Sequence, residues 1–179
     1  MNAAVRVIMD MPEPPRPRPR AGDWRTASDA ELVAHILARY HAAHRAQLPE
    51  LIRLARRVEQ VHGDREDCPA GLADHLEAMA QALESHMRKE EAVLFPLILR
   101  GQGALAAMPM AVMRAEHDGH GAELRRLEAL AGGFITPPGA CASWQALCQG
   151  LRVFRDDLAA HIEIENDVLF ARFAPAQAH

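Results

Sequence analysis

The sequence predicts an all-α protein, an up-down-up-down bundle of four helices. Three observations predict it. Apolar residues recur at spacings of three and four through four long stretches, the repeat that places side chains on one helical face. No stretch alternates apolar and polar residues as a half-buried strand would. Of the 179 residues, 49% are hydrophobic but only 4% aromatic, a composition suited to Leu, Ala, Val and Met packing between helices rather than to an aromatic-rich sandwich.

Residues 1–22 read as a disordered Pro/Arg-rich leader, because the run PEPPRPRP at 12–19 fixes φ and removes backbone donors. The folded domain is expected over 23–175. Ser28 to Glu31, SDAE, form a capping-box pattern that opens the first helix, expected over about 28–61. It ends near His62-Gly63-Asp64. The second helix is expected over about 70–99, with Pro96 in its last turns and Gly101 beyond it. The third is expected to start at Pro109, a residue suited to a first helical turn, and to stop at Gly132-Gly133. The loop GGFITPPG leads to the fourth, about 141–173. Short connections make neighbouring helices antiparallel, which gives the bundle its topology.

A chain of this length can bury one proper core. Its net charge of −4 argues against nucleic acid or an anionic membrane as partner, and the arginines between Arg53 and Arg57 read as a solvated helix face. No signal peptide is evident and no apolar run reaches the roughly 18 residues of a membrane span. Three cysteines, Cys68, Cys141 and Cys148, lack any paired-motif spacing. Reduced thiols and a cytoplasmic location are the expectation.

Two of the apolar seams are interrupted in the same way. The second helix carries Leu72, Leu76, Met79, Leu83, His86, Glu90, Val93 and Leu97 at alternating steps of four and three. The fourth carries Leu147, Leu151, Phe154, Leu158, His161, Glu165 and Val168. A histidine and a glutamate one turn apart thus replace two core residues in each. A buried carboxylate must be protonated, paired or bound to a cation. The third helix places His117 and His120 in a stripe with Met113, Leu124 and Leu127. The first places His41 and His44 with Leu37, Leu48 and Leu51.

Counting residues from each turn puts His41, His86, His117 and His161 at one height of the bundle. His62 fails this test, lying about 31 Å along the helix from His41. Four imidazoles and two carboxylates at one level are a metal constellation, suited to iron, zinc or manganese, and two central carboxylates suit a bridge between two ions. No cysteine falls on this layer. His44 and His120, one turn away on the same faces, fit packing or support of the ligands. His35, His75 and His179 read as surface residues. Glu91 is expected to face solvent, and Glu116 to lie on a partly exposed face. The methionines Met79, Met87, Met108, Met110 and Met113 read as core or loop filling.

The segments DWR (23–25), RYH (39–41), QLPEL (47–51), SHMRKEE (85–91), LFP (94–96), EHD (116–118), TPP (136–138) and HIEIENDVLF (161–170) carry a resemblance. Over about 23–173 the chain resembles the hemerythrin-like (HHE) domains, and within them the RIC proteins, di-iron proteins for repair of iron centres under nitrosative and oxidative stress. The resemblance implies His41, His86, His117 and His161 as terminal ligands of two non-haem irons, with Glu90 and Glu165 as bridging carboxylates and an oxo bridge when oxidised. It implies nitric oxide or oxygen as the small diatomic ligand and iron–sulfur proteins as partners. Nitric oxide reduction to N2O, its sequestration and iron donation are all compatible with it.

Two departures matter. Oxygen-carrying hemerythrins supply a further histidine four residues after the third-helix ligand, where this chain has Gly121. RIC proteins carry an N-terminal Cys-Cys domain, where this chain has its Pro-rich leader; a separate Cys-containing partner is the corresponding expectation. The alternative is a hemerythrin-like module that binds or senses oxygen or iron without catalysis. A ferritin-like oxidase is a third.

Overall fold

The computed structural model describes residues 23–173. Its described residues contain no strand, and the helices assemble into four antiparallel rods. The first rod is α1 (Asp29–Ile36), a π-turn (Leu37–His41) and α2 (Ala42–His62). The second is α3 (Leu72–Lys89), a π-turn (Glu90–Leu94) and α4 (Phe95–Leu99). The third is α5 (Gly103–Leu130), and the fourth is α6 (Ala142–Ile164), a π-turn (Glu165–Leu169) and a 3-10 turn (Phe170–Phe173). The predicted leader and His179 lie outside the described residues.

The capping box at the first helix forms as the sequence predicts. Ser28 Oγ accepts from the Glu31 amide at 3.3 Å, and the Glu31 carboxylate accepts from the Ser28 amide at 2.8 Å. The chain reverses after α4 at Gly101, whose φ of +70° is open to glycine without strain.

The third helix departs from expectation. It begins six residues before Pro109, at Gly103, and the proline sits inside it. Ala106 and Met110 explain why: both are buried and extend the Met113, His117, His120, Leu124, Leu127 stripe two further turns upstream. Core packing of that stripe outweighs the signal of the proline.

The second departure is in register. A steady four-three repeat through the second rod buries Val93 and Leu97. Instead Val93 is 48% exposed and Leu97 half-buried, while Leu94, Phe95 and Ile98 form the core. The cause is the π-turn: Phe95 N–H donates to Glu90 O, an i to i+5 bond that adds one residue to the turn. One extra residue rotates everything downstream by about 100°. The first rod has the same device, with Ala42 N–H on Leu37 O, and Leu37 is accordingly only half-buried. The fourth has Phe170 N–H on Glu165 O. A measurable consequence follows for the second rod. Leu94→Ala is expected to lower unfolding free energy by about 2–5 kcal/mol, and Val93→Lys by no more than about 0.5 kcal/mol, read from urea midpoints. The opposite order would overturn this register.

The buried apolar residues fall into two clusters. One holds Leu48 to Val58, Leu72 to Met87, Leu124, Leu127 and Trp144 to Leu158. The other holds Leu32 to Tyr40, Leu94 to Ile98, Ala106 to Met113 and Ile164 to Phe170. A layer of buried polar side chains lies between them.

Candidate metal centre

That layer is where the π-turns fall. His41 ends the first, Glu90 begins the second and Glu165 begins the fourth-rod turn. On each side of the layer the rods can present apolar faces of different azimuth because the wide turn rotates them there.

All six residues the sequence singles out come together. His41, His86, Glu90, His117, His161 and Glu165 are each at most 3% exposed. Glu90 lies with one oxygen 3.3 Å from His41 Nε2 and the other 3.4 Å from His86 Nε2. Glu165 lies 3.1 Å from His161 Nε2 through one oxygen and 3.1 Å from His117 Nε2 through the other. Two four-residue groups result, His41/Glu90/His161/Glu165 and His86/Glu90/His117/Glu165, each with its donor atoms within 4.8 Å of one another. Both carboxylates belong to both groups.

The tautomers are set from outside. His41 Nδ1 is 2.7 Å from Glu91 Oε1, His86 Nδ1 is 3.0 Å from Glu116 Oε2, and His117 Nδ1 is 3.1 Å from Asn166 Oδ1. Each partner is an acceptor, since Arg114 donates to the same Asn166 oxygen. Nδ1 therefore carries the proton, and the Nε2 lone pair faces inward as a metal requires. Arg45 anchors Glu91 at 2.8 Å, and Lys89 bonds to Glu116. His161 is held by its ring, stacked on Tyr40 at 5.2 Å.

The protein alone leaves this layer unsatisfied. His41 Nε2, both Glu90 oxygens and Glu165 Oε2 are buried without a hydrogen-bond partner. An unpaired buried carboxylate is strongly unfavourable. Borderline nitrogen donors and hard carboxylate oxygens, crowded at two overlapping points, fit a pair of divalent cations. In the metal-free chain protons partly take that role. Burial opposes protonation of His86, yet Glu90, Glu116 and Glu165 outweigh it and raise its pKa to about 9. His41 is raised against burial by Glu90 and Glu91. Glu165 is held below the ordinary carboxylate range, its burial outweighed by His161 and His117.

Several side chains differ from the sequence reading. Glu91 is half-buried on His41, where solvent exposure was expected, because it sits at the α2–α3 seam rather than on an outer face. Glu116 lies on a partly exposed face, as the sequence predicts, but its carboxylate is turned onto His86. Asn166 is a support the sequence reading missed. A shared signal could have found all three, since each is adjacent in sequence to a residue of the layer. His75 is buried rather than on the surface, its Nε2 3.1 Å from the Glu123 carbonyl. His35 is half-buried and stacked on Trp24 at 4.1 Å. His62 stands far from the layer, with its Nε2 3.2 Å from Cys141 Sγ and its ring 5.0 Å from Trp144. His44 and His120 lie beside the layer, and burial pushes their pKa values down to about 3 and about 4.

A helical bundle with a buried His/Glu layer defines a class of cation-binding protein, and the comparison with known families agrees. Residues 32–173 match the hemerythrin HHE cation binding domain, and the chain belongs to that family. Among individual proteins it is 49% identical over 152 residues to the iron-sulfur cluster repair protein YtfE of Pectobacterium atrosepticum, covering 85% of this chain and 69% of that protein. It is 48% identical over 150 residues to a probable iron-sulfur cluster repair protein of Haemophilus influenzae, covering 84% and 67%. The YtfE protein of Citrobacter koseri is 47% identical over 155 residues, covering 87% and 70%. Among the described residues no helix is long and apolar enough to cross a membrane.

Proposed function

We propose that this chain is a non-haem di-iron protein of the nitrosative and oxidative stress response that supports repair of damaged iron–sulfur clusters. The observation that carries the reading is the sharing of both carboxylates between two buried His/Glu groups. The repair role is supported by the relatives, which are named for it. His41 and His161 would hold one iron and His86 and His117 the other, with Glu90 and Glu165 bridging. Nitric oxide or oxygen is the ligand class, because a layer at most 3% exposed admits a diatomic and excludes bulky substrates. Iron–sulfur proteins are the proposed partners, and a separate thiol-bearing protein is compatible with a layer built without cysteine.

When bound, the iron pair supplies electrons and open coordination positions to the diatomic ligand. The chain supplies the rest. Glu90 and Glu165, each shared by both groups, would hold the two ions side by side. Glu91, Glu116 and Asn166 lock the imidazoles in the tautomer that presents Nε2. Phe95 against His41 at 5.8 Å and Phe170 against His117 at 5.9 Å line the carboxylate side of the layer with hydrocarbon, which lowers the local dielectric and strengthens charge interactions there.

The deciding experiment loads anaerobic protein with Fe(II), counts about two irons per chain, adds nitric oxide and measures N2O. N2O formation would establish reductive coupling. Stable binding without N2O would leave sequestration or iron donation. Failure to hold two irons would sink the di-iron reading. The outer carboxylates give a further expected result. Glu91→Ala and Glu116→Ala each weaken iron binding by about 10–100-fold in competition with a chelator. Wild-type affinity in both would overturn their role in orienting His41 and His86.

A further inference from the structure

The layer has two unlike sides. Glu90 and Glu165 follow His86 and His161 by four residues, about 6 Å along α3 and α6. His44 and His120 follow His41 and His117 by three residues, about 4.5 Å along α2 and α5, which run the opposite way. The carboxylates therefore lie on one side of the four histidines and these two extra imidazoles on the other. Their neighbours confirm the placement. His44 meets Phe154, two turns before His161, edge-on at 5.7 Å. His120 shares a cavity with Met79 and Ala82, which precede His86.

The two extra rings are also distributed one to each metal group. His44 lies 5.3 Å from the His161 ring, and His120 lies 5.0 Å from the His86 ring, edge-on. Both are buried, His44 at 0% and His120 at 7% exposure. Neither ring nitrogen of His44 has a hydrogen-bond partner, nor does His120 Nε2. Gln47 is near His44, but its amide nitrogen donates to Asp157 at 2.8 Å and its amide oxygen is itself unpartnered. Buried imidazoles without partners are unfavourable unless something polar meets them. On the His120 half, their side is open to the outside: a cavity of about 670 Å³ between α3 and α5 connects exposed Asp74 with buried His120.

Resting on the di-iron reading above, we infer that His44 and His120 form a paired hydrogen-bonding roof over the centre, one imidazole for each iron, that receives a small exogenous ligand on the side opposite Glu90 and Glu165. An imidazole in any protonation state keeps at least one N–H, so the roof can always donate to an acceptor atom placed there. The bridging carboxylates leave that side as the place where a diatomic or small anion fits without displacing a protein ligand.

Azide on the iron-loaded protein is the probe, with iron content counted before azide is added. Wild type is expected to show an azide stretching band that shifts between H2O and D2O. In His44→Leu and His120→Leu, iron stays at about two per chain while azide binds about tenfold more weakly in each, and the double variant loses the isotope shift. His44→Gln and His120→Gln, which keep a donor, are expected to retain most of the affinity. Unchanged azide affinity in the leucine variants, or no isotope shift in wild type, would overturn the roof. So would iron loss confined to the leucine variants, since the rings would then be metal ligands. Wild type without two irons would overturn the di-iron reading first and this inference with it. If the leucine variants do not fold, the wild-type isotope shift and the glutamine variants decide alone.

Discussion

Glu90→Ala and Glu165→Ala are each expected to reduce bound iron from about two per chain to below about one. Each carboxylate places one oxygen in each of the two donor groups, so one truncation removes a ligand from both. Four donors per site would become three, and the negative charge facing the two proposed cations would be halved. The same substitutions have a smaller effect in the metal-free chain. There both Glu90 oxygens are buried without a partner, and removing such a group relieves a desolvation penalty. Metal analysis paired with thermal unfolding, with and without iron, reads both halves. The variants should bind little iron, and their metal-free forms should lose less stability than their iron-loaded forms, because loss of the imidazole partners is offset in part by relief of burying a carboxylate. Full iron in both variants would end the bridging assignment.

Chelation should reverse the response of stability to pH. In the metal-free chain His86 has its pKa raised from 6.5 to about 9, so its contribution is complete below about pH 6.5 and disappears as pH rises through about 9. That contribution is on the order of 3 kcal/mol, and His41, shifted the same way, adds to it. The carboxylates act at the other end. Glu91 and Glu116 are lowered, their burial outweighed by Arg45 and His41 in one case and Lys89 and His86 in the other. Their contributions are lost as pH falls through those lowered values. The metal-free bundle should therefore be most stable in mildly acidic solution and weaken toward pH 9. With iron bound, protons compete with the metal for Nε2, and metal binding strengthens as pH rises. Denaturant midpoints at pH 6.5 and pH 9, with metal and with chelator, should move in opposite directions. A common direction would mean that His86 and its carboxylates do not govern the layer.

The candidate site was legible because its signal is an intrusion. His86 with Glu90, and His161 with Glu165, stand where an apolar repeat calls for leucine, and equal distances from the turns put His41 and His117 at their level. The bundle followed from the same repeat. What the repeat hid was its own interruption. A π-turn changes no residue type, so nothing in the Glu90–Leu94 segment announces the rotation that exposes Val93 and buries Leu94. Pro109 misled for a related reason, because local stiffness was weighed without the packing of Ala106 upstream. Glu91, Glu116 and Asn166 were obscured because a polar residue beside a buried one is normally on an outer face. Here two neighbouring rods close over it. His75 was misplaced because its partner is a backbone carbonyl, Glu123 O, which no side-chain pattern records.

A layer of buried polar side chains lies between the two apolar clusters. A continuous core transmits the loss of one contact to the next, so a small domain unfolds as one unit. Here that transmission must pass through imidazoles and carboxylates that have too few partners of their own. Ions shared by all four rods would close the gap. Cooperativity in this fold would then be strengthened by the cargo. Filled, the bundle is one body. Emptied, it is expected to unfold over a broader denaturant range, its two apolar ends less tightly coupled.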